Sequence, residues 1–143
     1  MKKILVIHGP NLNLLGKREV EVYGKVDLNE INKRIRVLAR KLKQEVDIKQ
    51  TSHEGSIVEL IGKSEKKYRG IIVNPAAYTH TSVAIRDAVS AVSVPVIEVH
   101  LSNIYRRDEF RHRSLIAAVC QGQISGFGPA SYLLALHALA DLI

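Results

Sequence analysis

An arginine and a tyrosine held together in a loop that can shut out water are able to turn a phenol into a base. Arg18 and Tyr23 lie five residues apart in His8-Gly9-Pro10-Asn11-Leu12-Asn13-Leu14-Leu15-Gly16-Lys17-Arg18-Glu19-Val20-Glu21-Val22-Tyr23-Gly24, directly after the apolar run Ile4-Leu5-Val6-Ile7. A free phenol ionises near pH ~10. A neighbouring guanidinium favours the phenolate, because its positive charge stabilises the anion. Lowering that value by two units takes roughly 2.7 kcal/mol of differential stabilisation. Guanidiniums supply this in a closed, poorly hydrated site but not in open water. The loop must therefore close for the base to work, and Gly16 and Gly24 give it permissive backbone at both ends. Taken alone, the segment reads equally well as a polar loop with an exposed tyrosine.

Glu98-Val99-His100 offers a complementary acid. Residues two apart on a strand share a face, so the carboxylate can orient the imidazole and favour its protonated form, as a general acid requires. A plain surface ion pair is the alternative. Asn74-Pro75-Ala76-Ala77-Tyr78-Thr79-His80 carries amide and imidazole groups suited to substrate hydroxyls, with Pro75 fixing the turn's direction; turn chemistry alone is its duller reading. His53, His112 and His137 lack a comparable setting and read as structural or exposed. No His-x-x-x-His pair occurs and Cys120 is the single cysteine, so a metal site is not expected. Neither a Gly-x-Gly-x-x-Gly fingerprint nor a Gly-x-Ser-x-Gly elbow is present, which disfavours dinucleotide binding and a serine nucleophile. Acid–base chemistry without a cofactor remains.

These groups lie far apart in the chain, so a fold has to gather them. Strands are expected at Lys3 to Ile7, Val46 to Thr51, Gly70 to Val73, Pro95 to Val99 and Ala118 to Ser125. Between them, apolar residues three and four apart predict helices over Asp27 to Lys43, Ser56 to Lys66, Thr81 to Val92, Asp108 to Ile116 and Ala130 to Ile143. Asp27 with Glu30 resembles a capping box. Gly122, Gly126 and Gly128 read as bulge and helix-entry glycines. Continuously apolar strands belong to sheets covered on both faces. Five of them alternating with helices imply a flavodoxin-like, doubly wound parallel α/β sheet with helices on both faces. Such sheets bind ligands beyond the carboxyl ends of their strands, where the strand order reverses. The polar clusters beginning at His8, Asn74 and His100 each follow a strand, so they should meet on one edge.

With 143 residues, 46% of them hydrophobic and 24% charged, the chain is expected to form one domain over residues 1–143. No apolar stretch reaches the roughly 18 residues of a membrane span, and the four apolar residues after Lys2-Lys3 are too few for a signal-peptide core. The lone Cys120 fits a reducing cytoplasm and reads as a small buried hydrophobe in a strand. Much of the net charge of +7 falls in Lys33-Arg34-Arg36-Arg40-Lys41-Lys43 and Lys63-Lys66-Lys67-Arg69, which read as solvated helix surface. Arg106, Arg107, Arg111 and Arg113 follow a strand end, where charge more often serves a small acidic ligand.

Over essentially its whole length the chain resembles type II 3-dehydroquinate dehydratase, the cofactor-free lyase of the shikimate pathway. The resemblance is carried by Gly9-Pro10-Asn11-Leu12-Asn13-Leu14-Leu15-Gly16, Arg18-Glu19 with Tyr23-Gly24, Asn74 to His80, Glu98-Val99-His100-Leu101-Ser102-Asn103, Phe110-Arg111 and Gly122-Gln123-Ile124-Ser125-Gly126-Phe127-Gly128. It implies an anti elimination of water from 3-dehydroquinate through an enolate. Tyr23 would then be the base at C2, with Arg18 lowering its pKa and Asn11 supporting the enolate oxygen. His100, oriented by Glu98, would protonate the departing hydroxyl. Asn74, His80 and Arg111 would contact substrate hydroxyls, and Leu101 and Ser102 the carboxylate. Asp87 would reach a neighbouring subunit's site in a homo-oligomer, a dodecamer built from trimers. Two positions depart from the family's pattern: His8 stands where Asn is usual, and Val20 where Pro is common. Competing readings are another cofactor-free lyase or isomerase acting on a cyclic hydroxy acid, and a module binding FMN or a regulatory phosphate. A basic nucleic-acid binder is disfavoured by the lack of an aromatic stacking platform.

Overall fold

The computed structural model describes residues 2–17, 21 and 25–143. Arg18 and Tyr23, which form the expected base, lie outside the described residues, as do Val20 and Gly24.

Five strands form one parallel sheet: β1 (Lys3–His8), β2 (Val46–Gln50), β3 (Tyr68–Asn74), β4 (Val96–His100) and β5 (Gly122–Ser125), in the order β2-β1-β3-β4-β5. The first four are paired in parallel register, and β5 adds to β4 without a break. The α-helices among the described residues are α1 (Leu28–Lys41), α2 (Glu54–Gly62), α3 (Val83–Ala91) and α4 (Ala130–Leu142).

The period of two sorts the strand side chains between two cores. Ile4 and Val6, Ile72, and Ile97 and Val99 pack under α1 and α4, which bury Ile31, Ile35, Tyr132 and Leu136 among others. Leu5 and Ile7, Ile71 and Val73, and Val96 pack on the opposite face against Ile57, Ile61, Ile85 and Val89 of α2 and α3. The expected doubly wound arrangement follows from strands that are apolar on both faces. Asp27 caps α1, its carboxylate accepting from the Glu30 N–H at 2.9 Å. Glu30 does not complete a capping box, because its carboxylate instead accepts from Arg34 one turn on. The basic residues from Lys33 to Lys43 are exposed, as a solvated helix surface should be.

Several boundaries differ from expectation. Residues 108–116 form no α-helix; a single 3-10 turn covers Glu109–Arg111. Phe110 in that turn is exposed, so no apolar face holds a longer helix in place. The helix expected from Ser56 to Lys66 begins earlier and breaks after Gly62 into a 3-10 turn. The fifth strand starts only at Gly122, since Ala117–Val119 turn instead. Gly122 therefore opens a strand in unbroken register rather than forming a bulge. Gly126 and Gly128 do take positive φ on the way into α4. Cys120 lies in the turn before β5 and is partly buried rather than a strand core residue, its thiol pushed up to about 12 by burial.

Candidate active site

The strand order reverses between β1 and β3, and the chain is drawn tight there. Gly9 donates its N–H to the Asn74 carbonyl at 2.8 Å, and a Cβ at Gly9 would sit 2.8 Å from that oxygen and 2.9 Å from the Pro75 backbone. No residue larger than glycine fits that approach without moving backbone. Beyond it, a cavity open to solvent lies at the carboxyl edge of the sheet. Its walls come from the segments after β1, β3 and β4, including Asn11, Asn74, His80, His100, Leu101 and Ser102. Arg107 and Arg111 close one side. The three polar clusters thus meet as the parallel-sheet rule requires.

Glu98 and His100 follow each other on one face of β4, and Glu98 is fully buried. Its Oε2 pairs with His100 Nε2. Thr79 also donates to Oε2, while Ser114 Oγ lies 2.8 Å from Oε1 and 3.0 Å from Oε2. Burial pushes this carboxyl upward. The hydrogen bond and charge of His100, with the hydroxyls of Thr79 and Ser114, outweigh that and hold it below the ordinary carboxylate range. The Glu98 contact fixes the ring of His100, whose Nδ1 makes no hydrogen bond among the described residues. Nδ1 is therefore the nitrogen available to a ligand in the cavity.

His80 is set by a different contact. Its Nδ1 donates to the Arg113 carbonyl at 2.7 Å, which leaves Nε2 as an acceptor. Burial, together with the charges of His100 and Arg111, lowers its pKa against the opposing pull of the Arg113 carbonyl and Glu98, so the neutral ring is favoured. Arg111 stacks over Phe110 at 5.0 Å, and its buried Nε has no hydrogen-bond partner among the described residues. That Nε lies 3.8 Å from Asp108 Oδ2, an ion pair too long for a hydrogen bond, so its N–H can still donate to an anion or a hydroxyl in the cavity. Asn11 sits in left-handed backbone (φ 69°) at the head of the turn Leu12–Leu14, and its side chain does not cap that turn. Ser102 Oγ is 3.5 Å from an Arg107 guanidinium nitrogen.

Of the expected residues, Asn11, Asn74, His80, His100, Leu101, Ser102 and Arg111 line this one cavity, and Glu98 stands behind His100. Asp87 does not; it is exposed on α3, away from the cavity. His53 and His137 are exposed, and His112 Nε2 donates to the Arg107 carbonyl at 2.7 Å. Sequence reasoning passed over Thr79 and Ser114, the hydroxyls that hold Glu98. It also passed over Asn32 and Tyr132, which enclose His8. A hydroxyl in a turn carries no signal that it faces a carboxylate packed from another strand.

A doubly wound α/β sheet whose strand-end cavity combines an oriented carboxylate–imidazole pair, amides and guanidinium groups defines an acid–base enzyme for a small polar ligand. A family model described as dehydroquinase class II matches residues 2–140. The 3-dehydroquinate dehydratase of Halothermothrix orenii is 55% identical over 143 residues, covering 100% of this chain and 97% of that protein. Its counterpart in Endomicrobium trichonymphae is 57% identical over 143 residues, covering 100% of both. The crystal structure of the type II dehydroquinase from Butyrivibrio crossotus superposes with a TM-score of 0.94 at 45% identity, over 96% of this chain and 97% of that one. The enzyme from Propionibacterium acnes gives 0.93 at 39% identity, over 99% and 97%. This chain belongs to the class II dehydroquinase family.

Proposed function

We propose that the cavity converts 3-dehydroquinate to 3-dehydroshikimate by anti elimination of water through an enolate, in the shikimate route to aromatic amino acids. The observation that carries this reading is the buried Glu98–His100 pair, which presents a free imidazole nitrogen to a cavity lined by amide, imidazole and guanidinium groups. Tyr23, ionised with the help of Arg18, takes the C2 proton, and the electron pair moves onto the carbonyl oxygen. Asn11 supports that oxygen as the enolate forms. The pair then returns to expel the C1 hydroxyl, which receives a proton from His100 and leaves as water. Neutral His80 accepts from a substrate hydroxyl at Nε2, while Asn74 and Arg111 donate to others. Leu101 and Ser102 take the carboxylate through backbone amides and the Ser102 hydroxyl. The chemistry is proton transfer throughout and draws on no cofactor.

Asp87, exposed on α3, is assigned to a neighbouring subunit's site in a homo-oligomer, a dodecamer built from trimers. The enzyme works on a small-molecule substrate in the cytoplasm, without nucleic acid or membrane as partner. The test is the rise in ultraviolet absorbance as a conjugated enone forms from 3-dehydroquinate, with a chelator present. Sustained turnover supports the assignment. Absence of any rise at micromolar enzyme rejects it in favour of another lyase or isomerase acting on a cyclic hydroxy acid.

A further inference from the structure

We propose that His8 is a positioning residue: acting through Tyr132, it fixes the direction of the Asn74 amide and so decides that this position offers the substrate a hydrogen-bond donor. The inference rests on the proposed function for the identity of that substrate.

His8 is fully buried at the end of β1 and stands opposite Asn74 of β3 in register. Both side chains fall on the face covered by α1 and α4. His8 Nδ1 lies 2.8 Å from Tyr132 Oη, and His8 Nε2 lies 2.7 Å from Asn32 Oδ1. Asn74 Nδ2 lies 3.0 Å from the same Tyr132 oxygen, and Asn74 Oδ1 lies 3.0 Å from the Ala76 N–H.

Counting protons gives this chain one direction. A backbone N–H only donates, so the Asn74 atom facing Ala76 is the oxygen and the atom facing Tyr132 is the NH2. Tyr132 Oη thus accepts from Asn74, and its single proton goes to His8 Nδ1. That nitrogen must then be bare, which places the imidazole proton on Nε2, donated to Asn32 Oδ1. Only the neutral ring with its proton on Nε2 satisfies both neighbours. Burial supports this state by pushing the imidazole down to about 4 against the opposing pull of Asn32.

Two consequences reach the cavity. Ala76 holds φ at +51°, uncommon for a residue with a Cβ, and Asn74 Oδ1 fastens its N–H there. Asn74 Nδ2 carries a second proton that Tyr132 does not use, on a residue that lines the cavity. If Nδ1 could not accept, the phenol proton would need another acceptor. Rotation of the Asn74 amide would supply one, but it would release Ala76 and turn an oxygen towards the substrate.

Two substitutions separate this role from simple core filling. His8→Asn places an oxygen about where Nδ1 stands and keeps the acceptor for Tyr132, while giving up Asn32. His8→Gln keeps a donor near Asn32 but leaves Tyr132 without its acceptor. In the enone assay, His8→Gln is expected to raise KM about five- to tenfold with kcat within about twofold, as loss of one ground-state hydrogen bond does. His8→Asn is expected to stay within about twofold of the parent KM. Equal KM values in the two variants would overturn the proposal. Independently of activity in either variant, solid-state 15N spectra of the histidine-labelled parent should show a buried neutral ring protonated at Nε2. That signal is identified as the one lost in His8→Asn. A ring protonated at Nδ1, or doubly protonated, at neutral pH reverses the chain and refutes the assignment. A parent protein that fails to turn over 3-dehydroquinate removes the proposed function instead, and the 15N result then decides the proton order alone.

Discussion

Replacing Glu98 by glutamine tests the acid half of the reaction with little change in volume. The carboxylate is fully buried, and its two oxygens receive contacts from His100, Thr79 and Ser114. Glutamine keeps one acceptor oxygen and puts an NH2 where the other stood, so one of these donors faces a donor. What is lost at His100 is a charge-assisted hydrogen bond, worth about 1.5–3 kcal/mol. At about 1.4 kcal/mol per factor of ten, kcat for dehydration should fall about 10- to 150-fold. The exchange of the C2 hydrogen with solvent should fall only a few-fold, because in the proposed mechanism Tyr23 and not His100 performs it. Incorporation of solvent deuterium at C2 of recovered substrate, followed beside enone formation, separates the two steps. Stability carries a matching signature. The folded carboxyl sits below its unfolded value, so its contribution is complete above the ordinary carboxyl value and is lost as the pH falls from there through the lowered folded value. Glu98→Gln should be less stable than the parent near neutrality, and the difference should shrink on acidification. Equal losses of exchange and dehydration, or an unchanged kcat, would refute the reasoning that Glu98 acts through His100.

Tyr23→Phe should lower turnover by several orders of magnitude while the far-ultraviolet circular dichroism stays that of the parent; near-normal turnover would remove Tyr23 from the mechanism. Arg18→Ala should move the basic limb of the pH–rate profile to higher pH, and an unmoved limb contradicts its role. Asp47→Asn should destabilise the fold by about 1–2 kcal/mol near neutrality, because Asp47 accepts from Tyr68 and pairs with Lys67 and Lys3. The Tyr68 hydrogen bond leads in holding that carboxyl down at about 2 from an ordinary 3.8. Its stabilisation is complete above that ordinary value and fades as the pH drops towards 2, which acid titration of the parent and the variant by circular dichroism will compare.

The layered architecture was legible because β1, β3 and β4 are apolar on both faces, a pattern that only a sheet covered twice can use. The same pattern predicted where the polar residues would gather, since each cluster begins as a strand ends. Residues 108–116 were misread because charged and apolar residues fall there at helical spacing. Their backbone is instead held by contacts with other elements: Ser114 turns inward to Glu98, and the Leu115 N–H donates to the Thr79 carbonyl at 2.7 Å. Such contacts join residues far apart in the chain and leave no trace in local periodicity. His8 was noticed as a departure from the family's pattern but had no account. Its explanation needed the helix packing, because its partners Asn32 and Tyr132 come from α1 and α4.

The distribution of buried polar groups ties the site to the stability of the fold. Among the described residues these are His8, Ser64, Asn74, Thr79, Ser82, Glu98, His100 and Ser131. His8, Asn74 and His100 end their strands, Thr79 lies in the turn after β3, and Glu98 is the one buried charge among them inside a strand, two residues before His100. Each polar group buried without a partner would cost about 1–3 kcal/mol, so a cluster of this size persists only if its members satisfy one another. They do so as two sets, one on each face of the sheet: His8, Tyr132 and Asn74 with Asn32 beneath α1 and α4, and Glu98, His100, Thr79 and Ser114 on the side of α2 and α3. The bonds that make burial tolerable are the same bonds that aim Asn74 and His100 at the cavity. Substitutions that break either set should therefore lower stability and misalign a cavity-facing group together, whereas changes on the exposed basic surface of α1 should do neither.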